Sequence, residues 1–277
     1  MKNILLPTDF SKNSLNAIDY AMQFFENWEC DFYILNVEKV SAYISDDLIS
    51  GSSTDTIYDS IATDNTKLIN KLIKKLSKDY KSQSYTFHSL FDYDDFVSAV
   101  DQAVRSNAID LIIMGSNGAT GAKETIFGSN TLQIIRNLEC PTLTIPEQYK
   151  YTTIESALFS TQRCEDFSYR GIKIFNELLD IQQCDLKVLE VDYDAGIATK
   201  KVNNDCLRKL FPNHPYTYFY LNTDPGLTAV NTATQLLKVD LHAAFIEDET
   251  FLERLIFGSE TSKLASGTII PLLFLHK

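Results

Sequence analysis

The sequence predicts an α/β protein built of two tandem doubly wound units, each a five-stranded parallel sheet covered by helices. Three observations predict it. Short apolar runs alternate with longer amphipathic ones along 277 residues, the pattern occurs twice, and one strand-to-helix loop is punctuated by glycines. Alternation of this kind closes into a parallel sheet with helices on both faces.

Ile4, Leu5 and Leu6 form the apolar heart of a first strand over 2–7. Ser11 then stands as N-cap of a helix over 11–27, whose Leu15, Ile18, Met22 and Phe25 lie on one face. A strand over 31–37 follows. Residues 41–65, rich in Ser, Asp and Thr, read as a polar insertion. The helix over 65–80 sets Leu68, Leu72, Ile73 and Leu76 opposite a solvated face of Lys67, Lys71, Lys74, Lys75 and Lys78. A strand at 85–91, a helix at 94–107, a strand at 110–115, a helix at 129–138 and a strand at 141–146 complete the unit. The joint falls around 147–153, so the expected domains are 1–148 and 149–277.

The second unit is visible as an internal repeat. Laying Asp110 on Asp240 also lays IFGS at 126–129 on IFGS at 256–259, Thr131 on Thr261 and Pro141 on Pro271, without a gap. A longer displacement lays DFYILNV at 31–37 on DLKVLEV at 185–191, and ILLPTDFS at 4–11 on ALFSTQRC at 157–164. The second copy is therefore shorter between its second and fourth strands.

The chemistry is concentrated in the first copy. Gly115, Gly118 and Gly128 stand as G-x2-G-x9-G with Ser129 directly after, which lets backbone approach a phosphate where Cβ atoms would block it. Ser129 opens a helix whose unpaired N–H groups and dipole also favour an anion. Asp9 lies at the carboxyl end of the first strand, on the sheet edge where Gly115 ends the fourth, so a carboxylate that can accept from an adenine amino group or a ribose hydroxyl shares that edge. Taken singly, the glycines are equally explained as turn residues and Asp9 as a turn carboxylate.

Together these segments resemble the universal stress protein family across the whole first half. ILLPTDFS is similar to its first strand and acidic residue, LNV at 35–37 to its second strand end, and MGSNGATGAKETIFGS followed by ECPTLTIP to its signature loop, helix and last strand. The resemblance implies a Rossmann-like fold of the adenine nucleotide alpha hydrolase type. It also implies ATP, with or without Mg²⁺, at Thr8, Asp9, Val37, Met114, Gly115, Gly118, Gly128, Ser129 and Asn130. It further implies pairing of the two repeats through their final strands, 142–145 and 272–275, as a pseudo-dimer, and a homodimer of the whole chain is compatible with it. This sequence departs from the family at Ala119, where a basic residue is common, and at Asn36, where histidine is common.

In the second copy Phe245 replaces Gly115, Asp248 replaces Gly118 and Gln162 replaces Asp9, while Glu247 adds a further carboxylate. Those carboxylates repel phosphate, so the nucleotide site belongs to the first copy, and Gly258 and Ser259 read as a helix start. No Walker lysine, no GxSxG elbow and no histidine occur in the loop, and Lys123 is its one basic residue. No catalytic residue is assigned. The expected function is a nucleotide-dependent switch in stress response; a nucleotide-free interaction scaffold and a slow ATPase are the alternatives.

A net charge of −12 argues against nucleic acid as the main partner. No stretch has the roughly 20 apolar residues of a membrane span and no signal-like segment leads the chain, so a cytoplasmic protein is expected. Five cysteines without CxxC spacing read as reduced thiols, and four scattered histidines offer no metal spacing.

Overall fold

A computed structural model describes residues 1–38, 54–93, 95–116, 127–161, 169–192, 204–222, 226–246, 253 and 270–276. In chain order the elements are β1 (Lys2–Pro7), α1 (Lys12–Phe24), β2 (Cys30–Val37), α2 (Thr54–Asp79), β3 (Tyr85–Asp92), α3 (Phe96–Ser106), β4 (Leu111–Gly115), α4 (Ser129–Asn137) and β5 (Thr142–Ile145). The second series is β6 (Ser156–Thr161), α5 (Tyr169–Gln182), β7 (Asp185–Asp192), α6 (Asn204–Leu210), β8 (Tyr216–Asn222), α7 (Gly226–Leu236), β9 (Leu241–Ile246) and β10 (Leu272–His276).

The strands join in one sheet of ten, ordered β3-β2-β1-β4-β5-β10-β9-β6-β7-β8. Within each series the pairing is parallel; β5 and β10 alone run antiparallel, Leu273 opposite Leu143. Thr144 reinforces this seam by donating its buried hydroxyl to the Leu272 carbonyl at 3.1 Å. The chain reverses its strand order between β1 and β4, and in open α/β sheets such a switch point opens a crevice at the carboxyl ends of the strands.

Ile4, Leu5 and Leu6 are wholly buried because helices cover both faces of β1: Ile4 and Leu6 enter the core under α1, Leu5 the core under α3 and α4. Each such side chain contributes about 1.5–3 kcal/mol relative to exposure. Ile18, Met22 and Phe25 are buried as the helical period requires, and Leu15 is partly so. α1 is buried on further sides as well. Asn16 donates to the Tyr149 carbonyl at 2.9 Å, and the Tyr20 ring meets Tyr151 edge-on at 5.4 Å, so the segment after β5 lies across it.

Three expectations need correction. α2 begins at Thr54, so helix occupies part of the 41–65 insertion; Ser, Thr and Asp are tolerated on a helix even though they also favour loops. Residues 39–53 lie outside the described ones. On α2 the core takes Leu76, with Leu72 and Ile73 packed against it as expected, but Ile69 is buried in place of Leu68, which is 45% exposed. Finally, Cys30, Cys140 and Cys184 are free thiols but Cys206 is disulfide-bonded. An odd cysteine count does not exclude a bond between two of five.

Candidate functional site

The turn after β1 is built by a network of short polar side chains. Ser11 caps α1, its hydroxyl accepting the Ser14 N–H at 3.2 Å, while Asp9 Oδ1 accepts the Ser11 N–H at 3.0 Å. Thr8 is buried; its hydroxyl lies 3.0 Å from that of Ser14 and accepts the Phe10 N–H at 3.0 Å. Phe10 sits at φ 58, a left-handed conformation that a non-glycine residue holds only where its surroundings over-determine it. Burial works to raise the Asp9 pKa, but the hydrogen bonds from Ser11 and Ser14 outweigh it and hold the carboxyl below its ordinary value. Asp9 is therefore an exposed, ionised acceptor at neutral pH.

At the end of β4, Gly115 is approached from two helices. A Cβ on Gly115 would fall 2.7 Å from Asn13 Nδ2 in the first turn of α1. On the other side the buried Thr131 hydroxyl, in the first turn of α4, donates to the Gly115 carbonyl at 3.1 Å. The next residue, Ser116, accepts the Gly128 N–H at 2.7 Å and so ties together the two ends of the loop between β4 and α4. Two helix N-termini thus converge on the end of one strand. α4 is capped by Gly128 without a side-chain hydrogen bond and has no acidic residue in its first turn, which leaves its leading N–H groups and dipole for an anion.

The expected site residues fall as follows. Thr8 and Asp9 form the first turn, Gly115 and Gly128 the strand end and helix cap, and Ser129 and Asn130 are exposed in the first turn of α4. Met114 is different: its side chain is buried among Leu5, Ile112 and Ile134, so only its backbone remains for a ligand. The β1–β2 register stops at Pro7 opposite Leu35, and Val37 extends beyond it. Gly118 and Lys123 lie outside the described residues, as do Gln162, Glu247, Asp248, Gly258 and Ser259 of the second copy.

Asn13, Thr131 and Asn36 complete the site without having been assigned to it. The buried Asn36 donates to the Thr8 carbonyl at 2.8 Å and locks the end of β2 to the turn after β1. Its Oδ1 is buried with no hydrogen-bond partner among the described residues. Asn13 gave no signal of its own, standing between Lys12 and Ser14 in a polar first turn; Thr131 was legible only as an identity with Thr261 of the second copy.

A profile of the universal stress protein family matches residues 1–146, which is the half of the chain that holds this site. The chain belongs to the universal stress protein family. Universal stress protein MJ0531 of Methanocaldococcus jannaschii is 27% identical over 149 residues, covering 54% of this chain and 84% of that protein. Among solved structures, a universal stress protein from Archaeoglobus fulgidus aligns with 99% of this chain and 98% of its own at 15% identity and a TM-score of 0.71. A protein of unknown function from Pseudomonas aeruginosa, PA1789, aligns with 100% of this chain and 92% of its own at 11% identity and a TM-score of 0.61. At those identities the two structures establish the universal stress protein fold over the full length. Among the described residues no helix is long and apolar enough to cross a membrane, and no group of three or more His, Cys, Asp or Glu is placed to hold a metal ion.

Proposed function

We propose that this universal stress protein binds ATP or a related adenine nucleotide in its N-terminal repeat and works as a nucleotide-dependent switch in stress response. The convergence of α1 and α4 on Gly115 carries the reading. It sets a helix N-terminus with no side-chain cap and no acidic residue in its first turn on the sheet edge that also carries the ionised Asp9, which matches a phosphate tail and an adenosine head. Asp9 would accept from the adenosine, with Thr8 and the Val37 backbone beside it. The Met114 backbone, Gly115, Gly118, Gly128, the Ser129 hydroxyl and the Asn130 N–H would hold the phosphates. Mg²⁺ would arrive with the phosphates. The antiparallel β5–β10 seam supports domains at 1–148 and 149–277 that pair within the chain as a pseudo-dimer.

The test is calorimetric titration of ATP with Mg²⁺ into the wild type and into Gly118→Asp, which copies Asp248 of the second repeat into the first. One-to-one binding lost in the variant is the expected result. Absence of binding to wild type shown free of carried-over nucleotide would sink the proposal and leave an interaction scaffold.

A further inference from the structure

Joining β5 to β10 uses the inner edges of the two repeats and leaves the sheet with two outer ones, β3 and β8. Among the described residues each is paired on one side only, β3 with β2 and β8 with β7, so alternate residues aim their N–H and C=O groups out of the sheet. The two edges are built differently.

β3 carries charge. His88 Nε2 lies 3.2 Å from Asp31 Oδ1 with its side chain 41% exposed, and Asp92 ends the strand. Ionisable groups on an edge discourage a further strand from adding to it. β8 reads Tyr-Thr-Tyr-Phe-Tyr-Leu-Asn and has no charged residue, no proline and no glycine, in a chain whose net charge is −12. The charged residues that β7 sets beside Thr217 and Tyr220, Lys187 and Glu190, are engaged: Lys187 Nζ donates to Ser156 Oγ on β6, and Glu190 Oε2 accepts the Tyr218 hydroxyl at 2.9 Å.

The β8 edge is also held in place. Tyr216 and Tyr218 pack on the core of one face, Phe219 and Leu221 on the core of the other, while Thr217 is exposed and Tyr220 is 38% exposed. A strand anchored on both faces is already ordered, so pairing with it costs little further entropy.

We propose that β8 pairs antiparallel with β8 of a second copy of this chain, about a two-fold axis at Phe219, so that two ten-stranded sheets become continuous. The order of side chains selects this partner. Tyr218, Phe219 and Tyr220 read the same in both directions, and opposed about Phe219 they set Tyr218 against the partner's Tyr220 and Tyr220 against the partner's Tyr218 on one face, aromatic pairs that stabilise an antiparallel ladder. On the other face Phe219 meets the partner's Phe219. The contact brings no like charges opposite each other along a strand of about 23 Å. It repeats at the outer edge the antiparallel strand junction that β5 and β10 make within the chain. A two-fold contact uses each β8 once, and the charged β3 edges remain outside, so the assembly closes at two copies.

The test is sedimentation of the full chain from about 1 to 300 μM, with salt near physiological strength to screen the net charge, together with amide hydrogen exchange at the two ends of that range. A concentration-dependent dimer is expected, in which exchange slows over 216–222 and not over 85–92. Tyr220→Lys and Tyr220→Glu, at an exposed position, place a charge of either sign on the edge and enter a two-fold contact twice, so each should weaken the dimer about tenfold or more. Tyr220→Phe keeps the ring and should hold it within about twofold. A monomer throughout the range, a dimer whose 216–222 amides exchange as in the monomer, a dimer unaffected by both charged variants, or open-ended growth beyond two copies would each overturn the proposal.

Discussion

Gly115 lies so close to Asn13 that a Cβ on the glycine would stand 2.7 Å from the Asn13 amide nitrogen and 2.8 Å from its Cγ. The glycine that a nucleotide-loop reading assigns to the ligand is needed in this fold for the packing of α1 on β4. Its presence is explained before any phosphate is considered.

Gly115→Ala should therefore destabilise the free protein by about 1–3 kcal/mol through overpacking. Asn13→Ala in the same chain should recover most of that loss, as read by urea unfolding of the two single variants and the double. If the double variant is no better than Gly115→Ala, the contact is not the reason for the glycine.

Asn130→Asp separates helix energetics from ligand binding. Asn130 is exposed in the first turn of α4, where a carboxylate complements the helix dipole and should add about 0.3–1 kcal/mol to stability. The same charge should repel a nucleotide's phosphates and weaken ATP binding about tenfold or more. Movement of both quantities in the same direction would argue against phosphate at this helix end.

The buried His242 makes stability depend on pH. Burial pushes its pKa down to about 3 from an ordinary 6.5, and its Nε2 lies 2.7 Å from the Ser160 hydroxyl, itself fully buried. The unfolded chain binds a proton near 6.5 that the folded chain refuses until about 3, so this contribution is complete above pH 6.5 and lost as pH falls through that window. The expected slope is about 1.4 kcal/mol per pH unit below pH 6. His276, also pushed down by burial, adds to it with the same sign. His242→Asn should flatten the pH profile of urea midpoints between pH 6 and 4; an unchanged profile would count against a neutral buried imidazole.

With Cys206 in a disulfide, denatured but unreduced protein should titrate three thiols of five. Five would show that the bond does not form under the conditions of purification.

Local signals sufficed wherever structure is local. The period of apolar residues located every strand from β1 to β5 within about a residue, because burial on one or both faces is written directly into each segment. Ser11 was legible as a cap because its donors lie three residues away. α2 was read short because Ser, Thr and Asp serve both loops and exposed helix faces, and only helix packing decides between them.

The sequence by itself determined the α/β class, the repeat, and an edge that carries Asp9 and Gly115, since each of these is a pattern of residue types at fixed spacing. Only the tertiary structure decided that both series form a single ten-stranded sheet through an antiparallel β5–β10 seam, that Asn13 and Thr131 close on Gly115, and that residues 149–151 lie across α1. The physical reason is distance along the chain. Thr144 meets Leu272, and Asn16 meets Tyr149, through contacts more than a hundred residues apart, and no local periodicity encodes which remote surfaces meet.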